Sequence, residues 1–300
     1  MWRNHVWRNE KGSALFLTAI AMVVLLGFAA LVTDVGLLYL NRYQLANAAD
    51  AAALAGVQEL PWSSWSAERR ALAYGELNGV TGLTVQVSPN WQEITVEAAK
   101  DVQLFFARML GFHSAEVKAK SKARVGPVQA IWGAVPLSVP QQEFVYGQQY
   151  ALKVGAGMAE QGNFGALKLG PKGGASVFED HVKRGYQGML RIGDLVDTEP
   201  GNMAGPTARA IEYRIQQDQH RPACTWENYQ PGCSRILIVP VVGPRSKPGR
   251  AQVEIVGFAA FFLDGPGEKG TVLGRFIEMA VDGEVGSGED FGLRAYRLVE

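Results

Sequence analysis

Two cysteines are the most reactive side chains in the sequence, and they lie close together. Cys224 and Cys233 are the only two in the chain and enclose the segment CTWENYQPGC. Two thiols that close a short loop are typical of a disulfide in a domain outside the cell, with two free thiols as the alternative. A zinc site needs about four ligands, and the four histidines are scattered along the chain. The spacing therefore predicts a disulfide and disfavours a metal.

A second group of residues with ligand chemistry lies in the segment GDLVDTEPGN. Its hard oxygen donors, which are the ligands that Ca²⁺ prefers, are Asp194, Asp197, Glu199 and Asn202. The EF-hand pattern is absent. The alternative is that these side chains cap turns and face the positive end of a helix that begins near Thr207. The patch is a weak calcium candidate.

Sequence patterns of catalysis and nucleotide binding are missing. The chain has no G-x-S-x-G, H-E-x-x-H or phosphate-binding G-K-S/T motif. Its histidines, which do not cluster in sequence, are His5, His113, His181 and His220. The formal net charge of zero gives no electrostatic support for binding nucleic acid. We expect neither an enzyme nor a cofactor.

A long apolar helix, which must position the rest of the chain, is predicted near the N-terminus. No charged residue occurs from Ser13 to Val32, and about 20 apolar residues form a helix about 30 Å long, enough to cross a bilayer. Basic residues precede this run, and Asp34 follows it. This asymmetry predicts a cytoplasmic tail (1–12), a transmembrane helix (13–33) and everything beyond it outside the cell. A cleaved signal peptide and a buried helix of a soluble protein are the alternatives.

The helix is expected to continue beyond the membrane over residues 34–60, because good helix formers follow and no proline occurs before Pro61. One stripe of this extension has residues that are mostly small, at helical spacing: Leu38, Leu45, Ala49, Ala52 and Gly56. Small residues allow another element to approach closely. The partner is either the protein's own outer domain or another membrane subunit.

Two motifs in this region carry a family resemblance: E-K-G-S before the apolar run, and T-D-V-G-L-L-Y-L-N-R-Y-Q-L-A-N-A-A-D-A-A-A-L-A-G after it. They resemble the N-terminal signature of TadG-like Flp (tight-adherence) pilus-assembly proteins. The matching positions include Gly12, Asp34, Gly36, Gln44, Asn47 and Asp50. The resemblance implies a single-pass membrane protein with its bulk outside the cell, without catalysis, whose partners are the lipid bilayer and other pilus-assembly proteins or pilin-like subunits.

Two features of such proteins are not carried over by the resemblance. Pilins are cleaved after a glycine that has a glutamate five residues later, whereas Gly12 is followed by Ser13 and, at the fifth position, by Leu17. The D-x-S-x-S metal motif of von Willebrand A domains is also missing. Neither pilin-type cleavage nor metal-dependent adhesion is therefore expected.

Residues 61–126 are expected to form a small α+β module. The pattern predicts a helix over 66–78, a hairpin over 83–100, a second helix over 101–111 with an apolar face toward the core, and a strand over 115–125. The outer face of this last strand is charged: Glu116, Lys118, Lys120, Lys122 and Arg124. That face is either solvated or in contact with anionic lipid or an acidic polymer.

Residues 127–300 contain many short strands separated by Gly and Pro, which predicts a β-rich sandwich or barrel-like domain outside the cell, with helices at about 175–184 and 207–217. Residues 253–265 are apolar on both faces and are expected to be a central strand. The fold class is thus α+β. The predicted function is a membrane-anchored structural or assembly component of a Flp-type pilus, and the alternative is a cell-surface binding protein or enzyme that uses the same anchor.

Overall fold

The computed structural model describes residues 10–153, 165–199, 203–220, 222–230, 232–244, 252–267 and 271–299. The described helices are α1 (Glu10–Val57), α2 (Ser64–Leu77), α3 (Ala175–Arg184) and α4 (Ala204–Gln216). The strands are β1 (Thr84–Val87), β2 (Glu93–Gln103), β3 (Ser114–Trp132), β4 (Val139–Pro140), β5 (Gln149–Lys153), β6 (Leu167–Lys168), β7 (Met189–Arg191), β8 (Leu195–Thr198), β9 (Ile236–Val242), β10 (Gln252–Pro266), β11 (Thr271–Ile277), β12 (Met279–Asp282), β13 (Glu284–Val285) and β14 (Leu293–Leu298). The fold is α+β, as the sequence predicts.

Helix α1 has two halves with different surroundings. Its first half is apolar, and its side chains from Ala14 to Thr33 are almost all exposed, with none of the described residues packed closely around them. The helix is long and apolar enough to cross a membrane by length and composition. Its second half, from Leu45 to Val57, is mostly buried. The predicted continuous helix through the apolar run and the alanine-rich run is therefore confirmed.

The buried half of α1 packs on a sheet together with α2. Their shared core contains the small-residue face of α1, Ala67 and Ala71 of α2, and Ile94, Val96 and Ala98 of β2. A Cβ on Gly56 would lie 2.6 Å from Cδ1 of Ile94 and 2.9 Å from the carbonyl oxygen of Ala67. The small side chains thus set the distance at which helix and sheet meet. The structure therefore agrees with the alternative in which this stripe packs on the protein's own domain and not on another subunit.

The first sheet has the strand order β1-β2-β3-β14-β12, with β7 and β13 also paired to β3. The hairpin of β1 and β2 agrees with the prediction. Strand β3 continues past the predicted module boundary at 126/127 and ends at Trp132, and β14 pairs antiparallel with residues 123–127 of it. The two predicted modules therefore share one sheet, which sequence periodicity did not indicate.

The second sheet has the order β4-β9-β10-β11-β5, and β8 with β6 extends from β10. The middle of β10 alternates between two cores: Phe258, Ala260 and Phe262 face β3 and β14 of the first sheet. Ala259, Phe261 and Leu263 face the opposite way, toward Phe178 of α3 and Ile211 of α4. The predicted central strand, apolar on both faces, is confirmed. The result is four layers: α1 and α2, the first sheet, the second sheet, then α3 and α4.

Two local predictions differ from the structure. Helix α2 begins at Ser64, and its N-cap is Ser63, whose hydroxyl oxygen accepts a hydrogen bond from the backbone N–H of Ser66. The helix predicted over 101–111 is wrong: β2 continues to Gln103, and only a short 3₁₀ turn, Ala107–Leu110, follows. The apolar residues of this segment face outward from the fold.

Candidate functional site

Asp34 joins the long helix to the loop between β2 and β3. Its Oδ1 accepts a hydrogen bond from the backbone N–H of Phe105 at 2.8 Å. Its Oδ2 accepts from the N–H groups of Phe106 at 3.0 Å and Ala107 at 2.7 Å. The Asp34 residue is only 6% exposed although the apolar helix just before it is bare. One carboxylate therefore satisfies three backbone donors at the start of a 3₁₀ turn, where such donors lack partners of their own.

The loop that Asp34 holds has an unusually apolar surface. We call residues 105–112, with the sequence FFARMLGF, the apolar loop. Its large apolar side chains are all exposed, from 44% for Phe106 to 86% for Met109; the others are Phe105, Leu110 and Phe112. Gly111 closes the turn with a φ of 93°. A contiguous apolar patch of this kind marks an interaction surface.

The apolar loop also shows why the predicted helix fails. The sequence pattern places Phe105 and Met109 on one face, and a soluble protein would bury that face. In the structure both residues are exposed. They lie beside the C-terminal end of the apolar run of α1, and that run is exposed as well. An apolar stripe in sequence indicates that a surface avoids water, but it does not distinguish a protein core from lipid.

The family-motif residues divide between two faces of α1. Leu45, Ala49 and Ala52 are buried against the first sheet. Tyr43, Gln44 and Asn47 are exposed, and Asp50 is partly exposed on the same side of the helix. At Gly36 a Cβ would meet nothing within 4 Å. Gly12 lies within α1, but its surroundings fall outside the described residues.

The charged face of β3 forms ion pairs within the sheet. Lys118 pairs with Glu116 at 2.8 Å. Lys120 pairs with Glu97 at 3.4 Å, and Lys122 with Glu93 at 2.8 Å, both across to β2. Neighbouring charges of opposite sign therefore neutralise this face, which favours the solvated alternative over a lipid-binding or polymer-binding one.

The acidic patch before α4 is spread over three places. A carboxylate oxygen of Asp194 accepts from the N–H of Arg191 at 2.8 Å, and one of Asp197 accepts from the side chain of Gln252 at 3.2 Å. An oxygen of Glu199 accepts from the N–H of Gly174, the N-cap residue of α3, at 2.8 Å. Asn202 lies outside the described residues. Asp194 thus caps a turn, as the alternative expects, but Glu199 bonds to the start of α3 and not to the helix near Thr207, and Asp197 bonds across to β10. Calcium binding stays a prediction.

The two cysteines belong to a larger cluster. Both are buried thiols that are not bonded to each other, so the disulfide also stays a prediction. Ligand atoms of Asp218, His220, Cys224 and Cys233 lie within 4.8 Å of one another. Burial and the neighbouring Cys224 thiol raise the pKa of Cys233 to about 12. Sequence reasoning missed Asp218 and His220, although the spacing D-x-H-x₃-C-x₈-C was available as a signal.

A cleft of about 670 Å³ lies between the α1–α2 connection, the β1–β2 turn and the segment before β14, and Arg124, Asp290 and Arg294 are among its lining residues. Arg294 donates to carboxylate oxygens of Asp290 at 2.6 Å and Glu278 at 3.1 Å. Its charge is thus matched inside the protein. The residues that line this cleft include no histidine, cysteine or lysine.

Replacing Asp34 with alanine should free the apolar loop. The backbone N–H groups of residues 105–107 lose their acceptor, so we expect their hydrogen exchange to become about tenfold faster or more. The measurement is amide exchange by mass spectrometry on the full chain in detergent. Asp50→Ala is the matched control, because Asp50 lies about four turns further along the same helix. Equal exchange in the two variants would contradict the role of Asp34.

Comparisons with known proteins concern the same region of the chain. No curated protein and no solved structure matches the chain. Residues 12–59 match the family model described as "Putative Flp pilus-assembly TadE/G-like". The match covers the apolar run, Asp34 and the small-residue face, and ends just beyond the last residue of α1. It confirms the resemblance predicted from the motifs: the N-terminal region of the chain is similar to the TadE/G-like family of Flp pilus assembly.

Proposed function

We propose that the protein is a single-pass, non-catalytic component of a Flp-type pilus-assembly apparatus, with its C-terminal bulk outside the cell. The observation that carries this proposal is the similarity of residues 12–59 to the TadE/G-like family, in a helix whose apolar half is left exposed by the part of the chain that the structure describes. That half includes bare Leu, Val, Ile and Phe side chains over more than 15 residues. Burying them in lipid removes this apolar surface from water.

The proposed orientation rests on charge. Arg3, Arg8 and Lys11 precede the apolar run, and no basic residue follows it before Arg42. Basic residues next to a span are retained in the cytoplasm. The sheets and the remaining helices follow α1 in sequence, so this orientation puts all four layers outside.

The apolar loop supports the same placement of the membrane surface. Asp34 fixes the loop at the point where the span is expected to end, and the loop's Phe, Met and Leu side chains extend the apolar surface sideways from the helix. Apolar side chains at the headgroup boundary contribute membrane affinity in proportion to their buried area. The protein would thus contact the outer leaflet at two adjoining places and be held at a defined height.

The exposed side of α1 beyond the membrane is the surface that this proposal assigns to partner subunits. Leu40, Tyr43 and Asn47 recur at helical spacing on it and are exposed. The opposite side is already occupied by the first sheet. A partner helix can therefore pack along this side without displacing the protein's own core.

Lipid contact of the apolar loop can be tested with a photoreactive amino acid at Met109. We expect a phospholipid adduct after illumination of membranes, because Met109 is 86% exposed in an apolar patch beside the span. The control position is Trp132, an exposed aromatic residue at the opposite end of β3, about 60 Å away along the strand. Mass spectrometry detects the adduct. A similar lipid yield at both positions would contradict the proposed contact.

Orientation can be tested with external protease on intact cells from which the wall has been removed. The positive-inside distribution predicts that the part after α1 is digested, whereas an N-terminal tag survives on a membrane-embedded fragment. Opening the cells before digestion should remove the tag too, which serves as the control. Survival of the C-terminal part in intact cells would mean the reverse orientation.

The assembly role can be tested with the photoreactive residue at Asn47 on the exposed side of α1. We expect protein adducts that mass spectrometry identifies as Flp pilus-assembly membrane proteins or pilin subunits, and that disappear when those genes are deleted. The control position is Leu77, which is 79% exposed at the end of α2. Adducts with the same proteins at both positions, or with none of the pilus apparatus, would overturn the proposal.

A further inference from the structure

The loop between α4 and β9 gathers four side chains that are metal ligands in other proteins. Among the residues that the structure describes, one group of His, Cys and acidic side chains is close enough to hold an ion: Asp218, His220, Cys224 and Cys233. All four come from this single loop, residues 217–235. Both cysteines are at most 4% exposed, and the Asp218 side chain is 3% exposed.

The distances within the cluster suit a tetrahedral ion. Zinc binds sulfur at about 2.3 Å and nitrogen or oxygen at about 2.0–2.2 Å, so its ligand atoms are separated by about 3.3–3.8 Å. In the cluster no pair of ligand atoms exceeds 4.8 Å. Nδ1 of His220 and Oδ1 of Asp218 lie 3.2 Å apart, which is close to an edge of such a tetrahedron. A small contraction of the remaining edges would complete the coordination.

We propose that Asp218, His220, Cys224 and Cys233 bind one Zn²⁺ ion in a closed, structural site. Two soft sulfur ligands favour zinc over the hard ions Ca²⁺ and Mg²⁺. Four protein ligands leave no position for substrate, so the ion has no catalytic role. On binding, Zn–S bonds form and the two thiol protons are released to solvent. This proposal does not rest on the membrane anchor or on the pilus-assembly role.

The surroundings hold the ligands in place. Oδ1 of Asp218 accepts from the N–H of His220 at 3.2 Å, and Oδ2 accepts from the N–H of Cys224 at 3.1 Å. A carboxylate has about four lone-pair sites, so these two bonds leave a lone pair for the ion. They fix the carboxylate in the manner of the outer-shell bonds found around metal sites.

Both ends of the loop are anchored to the core. Nη1 of Arg214, in the last turn of α4, donates to the carbonyl oxygens of Ser234 and Ile236 at 3.0 Å each. The guanidinium of Arg235 donates to the carbonyl oxygens of Leu263 at 3.0 Å and Asp264 at 3.1 Å. Between these anchors the described residues form no helix or strand. Loops longer than about 12–15 residues without secondary structure are uncommon in compact domains, and an ion would supply the missing crosslink.

A disulfide between the two cysteines is the competing arrangement. It would use two members of the cluster and give no role to the imidazole of His220, which is packed against the same carboxylate. It would also require the sulfurs to approach to about 2.05 Å, whereas a zinc site uses all four side chains, whose ligand atoms lie within 4.8 Å of one another.

The experiment measures metal content and thiol state on the full chain, purified in detergent without chelators. We expect one zinc per chain by elemental mass spectrometry. Cobalt substituted for zinc should show the intense near-ultraviolet thiolate band and the visible bands of a tetrahedral site. His220→Ala should weaken zinc binding by more than the ~10–100-fold that loss of an outer-shell partner costs. His113→Ala, at an exposed histidine outside the cluster, should retain one zinc.

The thiol state distinguishes zinc from the disulfide. Thiols are alkylated during cell lysis, and the intact mass is then compared with and without prior reduction. Zinc-bound cysteines should become alkylated once the metal is chelated, without any reductant. A chain without zinc and without a tetrahedral cobalt spectrum would overturn the proposal, and so would a mass two hydrogens below the reduced form. Both readouts come from the unaltered chain, so they hold even where Cys224→Ser or Cys233→Ser fails to fold.

Discussion

The close packing of α1 against the first sheet is the contact on which the rest of the structure depends. It is close because the helix presents alanine and glycine: at Gly56 even one added carbon would lie 2.6 Å from Ile94. A helix of larger residues would stand further from β2 and β3. Since α1 is continuous through Asp34, its orientation against this sheet also sets the orientation of its bare apolar half relative to all four layers. A protein anchored by such a helix cannot swivel freely at the membrane surface.

Asp34 extends the same constraint to the end of the apolar run of α1. A lone carboxylate at the end of an apolar helix is costly unless it is hydrogen-bonded or solvated. Here the three N–H donors of residues 105–107 satisfy it. The donors in turn belong to a loop whose side chains are apolar and exposed. One polar contact, made between two apolar surfaces, thus keeps both surfaces side by side.

Sequence periodicity predicted the elements whose burial follows one regular pattern along the element or is the same on both of its faces. Helix α3 has the bounds expected from the pattern, Ala175–Arg184. Strand β10 was recognised because burial on both faces removes alternation. The pattern failed at the apolar loop, since lipid and a protein core select the same residues. Periodicity also could not show which strand β14 pairs with, because the pairing of residues 294–298 with 123–127 joins segments that are far apart in sequence.

The two candidate sites also differ in how far the sequence could predict them. The role of Asp34 could not be read from its neighbours, since its hydrogen-bond partners lie more than 70 residues away. The cysteine cluster is different, because all four of its members lie within one loop. Counting histidines over the whole chain obscured His220, whereas counting ligands within the loop shows an acid, a histidine and two cysteines at short spacing. Short-range ligand spacing therefore carries information that a whole-chain count loses. The same loop connects α4 to β9, and so joins the outermost helical layer to the second sheet. That outer layer is also held by its packing, since Phe178 of α3 and Ile211 of α4 share a core with Phe261 of β10.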